Sequence, residues 1–295
     1  MALSRSKSLR FLFVAIVIGI ALLLIRQYSR KAEIPIGSGS SQVVLAALGD
    51  SGTGGEAQLK VADSLRRICE EQNCDAVILL GDVIYDKGVE SVDDLQFKTK
   101  FEIPYKAIDA PFYIALGNHD HFGCVDCYIQ YDSKSPKWEF PNYYYRHSFG
   151  SLVDIFVLDT DNFSKDQAAW LEQETKKSTA AWKIAVGHHP IYTNSKQYSK
   201  AYPEKKALLS SSVCYNFDLY LSGHTHGLED LGEICGVRHI VSGGGGGDLY
   251  EIIPNQSPFS AESYGLLLIK AQTDSITLFF YNERGEILYS VKTPK

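Results

Sequence analysis

Five short apolar runs in this chain each stop at a glycine followed at once by a side chain able to bind a metal. VVLAAL (43–48) ends in Gly49-Asp50-Ser51-Gly52, AVILL (76–80) in Gly81-Asp82-Val83-Ile84-Tyr85, and FYIAL (112–116) in Gly117-Asn118-His119-Asp120-His121. WKIAV (182–186) ends in Gly187-His188-His189-Pro190, and DLYLS (218–222) in Gly223-His224-Thr225-His226. In α/β sheets, sites gather outside the carboxyl ends of strands, where several loops converge. Glycine lets the chain turn there and approach closely. A single Gly-Asp is an ordinary turn, and a single histidine is usually structural. Five such ends in one chain point to a shared site. The candidate donors are carboxylate, imidazole, amide and phenol with no thiolate, a set that suits divalent and trivalent first-row metals. Seven of them are too many for one tetrahedral zinc. They suit two adjacent metals sharing a carboxylate, about 3.5–4 Å apart, as in phosphatases and nucleases.

The rest of the chain alternates in the same way. Helical patterns fall near 56–71, 93–108 and 165–177, the first with apolar positions Leu59, Val61, Ala62, Leu65 and Ile68. VDIFVL (153–158) and RHIVS (238–242) add strands. GLLLIKAQ (265–272), ITLFFYNE (276–283) and GEILYSVK (285–292) close the chain with tight turns that suggest antiparallel neighbours. This order predicts an α/β fold with a mixed sheet, or two stacked mixed β-sheets flanked by helices. The run GGGGG (243–247) lacks the GK[ST] of a phosphate cradle and reads as a loop passing close to the metals. His147 and His239 read as structural.

Phe11 to Ile25 is an unbroken apolar run of 15 residues between Arg10 and Arg26. Its length lies between a signal-peptide core and a full membrane span. With no small-x-small cleavage site after it, residues 1–31 are expected to be a signal anchor in preference to a cleaved signal peptide. They would tether the protein to a membrane through residues 11–25 as an N-terminal hydrophobic helix. Residues 32–42 read as a Pro/Gly/Ser linker, and 43–295 as the catalytic domain. Of the 29 basic residues six lie in 1–31, which has no acid, leaving 23 against 35 acids. So acidic a body repels nucleic acid. Six cysteines fall into three local couples, Cys69/Cys74, Cys124/Cys127 and Cys214/Cys235. Behind an export signal these suggest disulfides and an extracytoplasmic catalytic domain, membrane-anchored or exported. Six cysteines allow 15 connectivities, and Cys124-x-x-Cys127 also reads as half a zinc site or a redox pair. Asn162 and Asn255 begin Asn-x-Ser sequons.

Asp50-x-Gly52, Gly81-Asp82-x-x-Tyr85, Gly117-Asn118-His119-Asp120, Gly187-His188 and Gly223-His224-x-His226 match, in order, the five motifs of calcineurin-like metallophosphoesterases. Tyr85 at the end of the second motif resembles the purple acid phosphatases, and GNHDHFGC with KWEFPNYYYRHSF resembles their small, mammalian-type, tartrate-resistant kind. The resemblance implies a four-layer αββα sandwich and a monomer that hydrolyses phosphate monoesters by in-line attack of a metal-bound hydroxide. The alternative on the same scaffold is a phosphodiesterase or nucleotide hydrolase. It further implies Fe(III) on Asp50, Tyr85 and His226, and Fe(II), Zn or Mn on Asn118, His188 and His224, with Asp82 bridging. His119 would protonate the leaving group, Asp120 would orient His119, and Asn118, His119 and His121 would meet the phosphate ester. His188 is preferred over His189 because it directly follows the strand-end glycine. Val83-Ile84 depart from the more polar and aromatic pair of the mammalian type.

Overall fold

Apolar runs without a polar face are satisfied only by burial on both sides, and that requirement organises the computed structural model of this protein. It describes residues 42–198, 203–254 and 256–295. The expected anchor (1–31), nearly all of the linker and the Asn255 sequon lie outside the described residues. Among the described residues no helix is long and apolar enough to cross a membrane.

In chain order the strands are β1 (Gln42–Leu48), β2 (Ala76–Leu80), β3 (Phe112–Ala115), β4 (Trp138–Glu139), β5 (Tyr145–Phe149), β6 (Val153–Val157) and β7 (Trp182–Val186). They continue as β8 (Leu219–Ser222), β9 (Leu228–Ile234), β10 (Val237–Ser242), β11 (Phe259–Ala261), β12 (Gly265–Gln272), β13 (Ser275–Asn282) and β14 (Ile287–Pro294). One sheet runs β14-β13-β12-β1-β2-β3-β4 and the other β11-β9-β10-β8-β7-β6-β5. β1, β2 and β3 are mutually parallel, with Leu45 opposite Ala76 and Val77 opposite Phe112. β6, β7, β8 and β10 are parallel in the second sheet. The carboxyl ends of each parallel set therefore emerge along one edge. There the sheets are stitched together, Gly49 N donating to Ser242 O (2.7 Å) and Ser242 Oγ to Ala47 O (2.9 Å). β12, β13 and β14 pair antiparallel, as their tight turns suggested.

Helices cover the sheets. α1 (Glu56–Gln72) turns Val61, Ala62, Leu65, Ile68 and Cys69 inward at helical spacing and packs on β1 and β12. Leu59, expected on this face, is instead exposed, and the neighbouring Gln58 is buried, with its amide donating to Lys100 O (2.7 Å). Over the second sheet, α2 (Lys165–Lys177) contributes Leu171 and α3 (Pro203–Val213) contributes Leu209 and Val213 to a core with Phe156, Phe217 and Tyr220. The helix expected over 93–108 is broken. Asp94 caps a single turn at Leu95–Phe97, a π-type turn follows at Lys98–Glu102, and Pro104 lacks the N–H that a continuing helix would use. That register buries both Phe97 and Phe101.

Three disulfides, Cys69–Cys74, Cys124–Cys127 and Cys214–Cys235, join the cysteines in their local couples. The half-zinc-site reading of Cys124-x-x-Cys127 therefore falls, since neither sulfur is a free thiolate.

Candidate metal centre

The five strand ends meet. Asp50 follows β1, Asp82 and Tyr85 follow β2, Asn118 follows β3, His188 follows β7, and His224 and His226 follow β8. At three of the five strand ends, Gly81, Gly117 and Gly223, the glycine is required because another candidate ligand crowds the backbone. At Gly117 a Cβ would lie 2.2 Å from Asp82 Oδ1. At Gly81, where φ is +89°, it would lie 2.5 Å from His188 Nδ1. No larger residue fits either position. Asp50, Asp82 and His224 themselves have φ of 60°, 50° and 64°. For residues other than glycine this left-handed conformation costs roughly 1–2 kcal/mol each. Three such outliers fall on candidate ligands, where close convergence is the compensation.

Two groups of donor atoms result. In the first, Tyr85 Oη lies 3.2 Å from Asp50 Oδ1 and 3.1 Å from His226 Nε2, and His226 Nε2 lies 3.3 Å from Asp50 Oδ1. In the second, His188 Nε2 lies 3.2 Å from Asn118 Oδ1, 3.2 Å from His224 Nδ1 and 3.4 Å from Asp82 Oδ2. Ligand atoms of Asp50, Asp82 and His188 lie within 4.8 Å of one another, which links the groups. Outer contacts aim the donors: His188 Nδ1 meets Leu80 O (2.8 Å) and His226 Nδ1 meets Asp248 O (2.6 Å), so each presents Nε2 inward. Asp50 Oδ2 accepts His224 N (2.8 Å), leaving Oδ1 for the centre.

Electrostatically the donor set suits cations. Burial disfavours a charged His188, but the adjacent Asp82 carboxylate outweighs it and pushes its pKa up to about 10, while Asp82 is held well below the usual range. A proton there stands where a metal would. Burial, then Asp50 and Asp82, raise the Tyr85 hydroxyl far above its ordinary value, so only a strong Lewis acid makes it a phenolate. His224 is driven down by burial and by His188 and His189, which keeps it neutral as a ligand must be.

All seven expected ligands are brought together, and His189 turns away, Nδ1 to Thr160 Oγ1 (3.1 Å). His119 stands beside them, its ring 4.4 Å from that of Tyr85 and its Nδ1 2.6 Å from Asp86 O. Asp120 does not meet His119. Its fully buried carboxylate accepts Val83 N (3.1 Å), Ile84 N (3.1 Å), Gly117 N (2.8 Å) and Tyr128 Oη (2.8 Å), because those donors would otherwise be buried unpaired. The Asp86 carbonyl takes the orienting role expected of Asp120. His121 is also turned aside, Nε2 to Asp159 Oδ1 (2.9 Å) and Nδ1 3.3 Å from Asn162 Nδ2. Burial would lower its pKa, but Asp159 more than compensates and raises it.

Asp159 itself escaped the sequence reading. It ends the β6 segment without a preceding glycine, so the Gly-plus-ligand signal misses it. Two tyrosines were missed as well: Tyr250 stacks on His226 (4.1 Å, 10°) and Tyr198 lies over His224 (4.4 Å). The 243–247 glycines do pass the centre, with Gly245 N on Gly49 O (3.0 Å) and Gly247 N on Asp50 O (2.8 Å).

The family model for calcineurin-like phosphoesterases matches residues 44–228. Tartrate-resistant acid phosphatase type 5 of Oryctolagus cuniculus is 26% identical over 272 residues, which cover 79% of this chain and 83% of the relative. Purple acid phosphatase 4 of Arabidopsis thaliana is 27% identical over 274 residues, 81% of this chain and 79% of the relative. Among solved structures, GAP50, the anchor in the inner membrane complex of Plasmodium, superposes with a TM-score of 0.73 at 23% identity, over 86% of this chain and 89% of that one. That likeness is one of fold.

Proposed function

The chain belongs to the calcineurin-like phosphoesterase family, and on that premise we propose that it is a two-metal acid phosphatase of the purple kind, acting on phosphate monoesters. The observation that carries the reading is the approach of Asp50, Asp82 and His188 to within 4.8 Å, joining a tyrosine-containing donor group to an amide-containing one. In this reading Asp50, Tyr85 and His226 would hold Fe(III), Asn118, His188 and His224 would hold iron, zinc or manganese, and Asp82 would serve both. When bound, the two cations supply a nucleophile at acid pH and neutralise the phosphoryl charge.

The protein's own groups do the rest. His119 gives Nδ1–H to Asp86 O, which leaves Nε2 as the nitrogen to meet a departing oxygen. As the general acid, Nε2 delivers a proton to the leaving group. His119 N also donates to Asp82 Oδ1 (2.9 Å), fixing the loop relative to the shared carboxylate. Tyr198 and Tyr250 cover His224 and His226 and keep water from the ligand bonds. The reading places a monomeric catalytic domain outside the cytoplasm, tethered through residues 11–25, and three disulfides support that compartment.

A panel of aryl and alkyl phosphomonoesters and diesters tests the proposal. Monoesters should be turned over faster at every pH, best in acid. Faster diester hydrolysis would favour the phosphodiesterase alternative, and phosphate binding without turnover would make the chain a binding protein. The oxidised holoprotein should absorb in the visible through a phenolate-to-Fe(III) transition, and Tyr85→Phe should lose the colour more completely than the hydrolysis. A coloured Tyr85→Phe protein would assign the chromophore elsewhere.

A further inference from the structure

Cys124-Val125-Asp126-Cys127 begins three residues beyond His121, and the metal centre uses neither cysteine. The bridge spans a sequence separation of only 3, against 21 for Cys214–Cys235. Closing so short a loop removes little chain entropy, so general stability is a weak reason for it.

Its position gives a stronger reason. The residue after Cys127 is Tyr128, fully buried, whose hydroxyl is one of the four donors to Asp120. The other three donors are Gly117 N, directly before ligand Asn118, and Val83 N and Ile84 N, between ligands Asp82 and Tyr85. At the other end of the turn Cys124 N donates to Val89 O (2.7 Å) and Gly123 N to Asp120 O (3.2 Å). The bridged turn is thus pinned to two of the ligand-bearing loops, the one after β3 through Asp120 and the one after β2 through Val89. Cys127 is buried, whereas Cys124 is half-buried in the wall of a surface cavity of about 590 Å³. The same wall includes Asp86, whose carbonyl holds His119.

We propose that Cys124–Cys127 is a thiol–disulfide exchange site for a dithiol reductant, and that its bridged state holds the two loops in the active arrangement. A thiolate of the reductant attacks Sγ of Cys124, the less buried of the two cysteines, and Cys127 leaves as a thiolate that takes up a proton. The reductant's second thiol then displaces Cys124. The dithiol ends as a disulfide and the protein carries two thiols, two electrons and two protons having been transferred. Freed of its bridge, the 124–127 turn relaxes its hold on Asp120 and Val89, and turnover falls.

Metal-loaded full-length protein titrated with dithiothreitol, with thiols trapped by iodoacetamide and mapped by mass spectrometry, tests this. The expected result is a fall in kcat of about tenfold, a loss on the scale of one misplaced contact, that tracks labelling of Cys124 and Cys127 and reverses on reoxidation. Amide exchange should rise in 83–89 and 117–124 at the same step, a readout independent of the phosphatase reading. The double variant C124S/C127S should start at the lower kcat and respond no further, which separates the thiols from reduction of iron. A loss that tracks another cysteine pair, or an equal response in the double variant, overturns the proposal. Should that variant fail to fold, the correlation of labelling, exchange and kcat in the wild type decides alone.

Discussion

Replacing His119 by alanine should lower kcat by roughly 10²–10⁴, the usual range for a lost general acid, while both metals and the visible colour stay. Its imidazole is held by Asp86 O and lies tilted beside the Tyr85 ring without joining either donor group. The link from this loop to Asp82 runs through His119 N, which alanine keeps. Metal binding and substrate affinity should therefore change little. The loss should be smaller for aryl phosphates than for alkyl ones, because a good leaving group needs less protonation. Equal losses would make His119 a phosphate-positioning group, and loss of metal would make it a ligand.

Asp120→Ala should act on the fold as well as on turnover. The substitution strands three buried backbone N–H groups and the Tyr128 hydroxyl, all of which now share one carboxylate. Stranding such donors costs about 3–5 kcal/mol, which for a domain of this size lowers Tm by roughly 10 °C. Activity should fall too, because the same carboxylate ties the loop of Asp82 and Tyr85 to that of Asn118. Asp120→Asn keeps one acceptor oxygen and should fall between. An alanine variant with wild-type Tm and only an altered pH profile would return Asp120 to the role of His119 partner.

Those two residues mark where sequence reasoning reached and where it stopped. The candidate ligands were legible because chemistry and period coincide: buried parallel strands read as unbroken apolar runs, and five of those runs ended in glycine plus a donor. The glycine-plus-donor signal is local in sequence, whereas the crowding behind it is not: the group that excludes a Cβ at Gly117 is Asp82 Oδ1, 2.2 Å away on the loop after β2. Asp120 was misread because its adjacency to His119 is along the chain. In the fold the short helical turn at 118–121 points the two side chains apart, one to Asp86 O and the other to the Val83 and Ile84 amides. Asp159 was invisible because nothing local distinguishes it from an ordinary turn, and it meets His121, which follows β3 in the other sheet, only where the strand ends of the two sheets converge. β9 (LEDLGEI) and α3 (PEKKALLSSSV) lack a clean period, and their formation depends on neighbours: β9 on its pairing with β10, α3 on its packing with α2 over Phe156 and Phe217. The 93–108 segment has helical spacing, but Pro104 and the burial of Phe97 and Phe101 override it.

The central claim is that these seven side chains hold two cations and not one. Elemental analysis of protein produced with adequate iron, and washed free of loosely bound metal, tests it most directly. About two metals per chain, at least one of them iron, is the result the two donor groups predict. One zinc per chain and nothing else would contradict it.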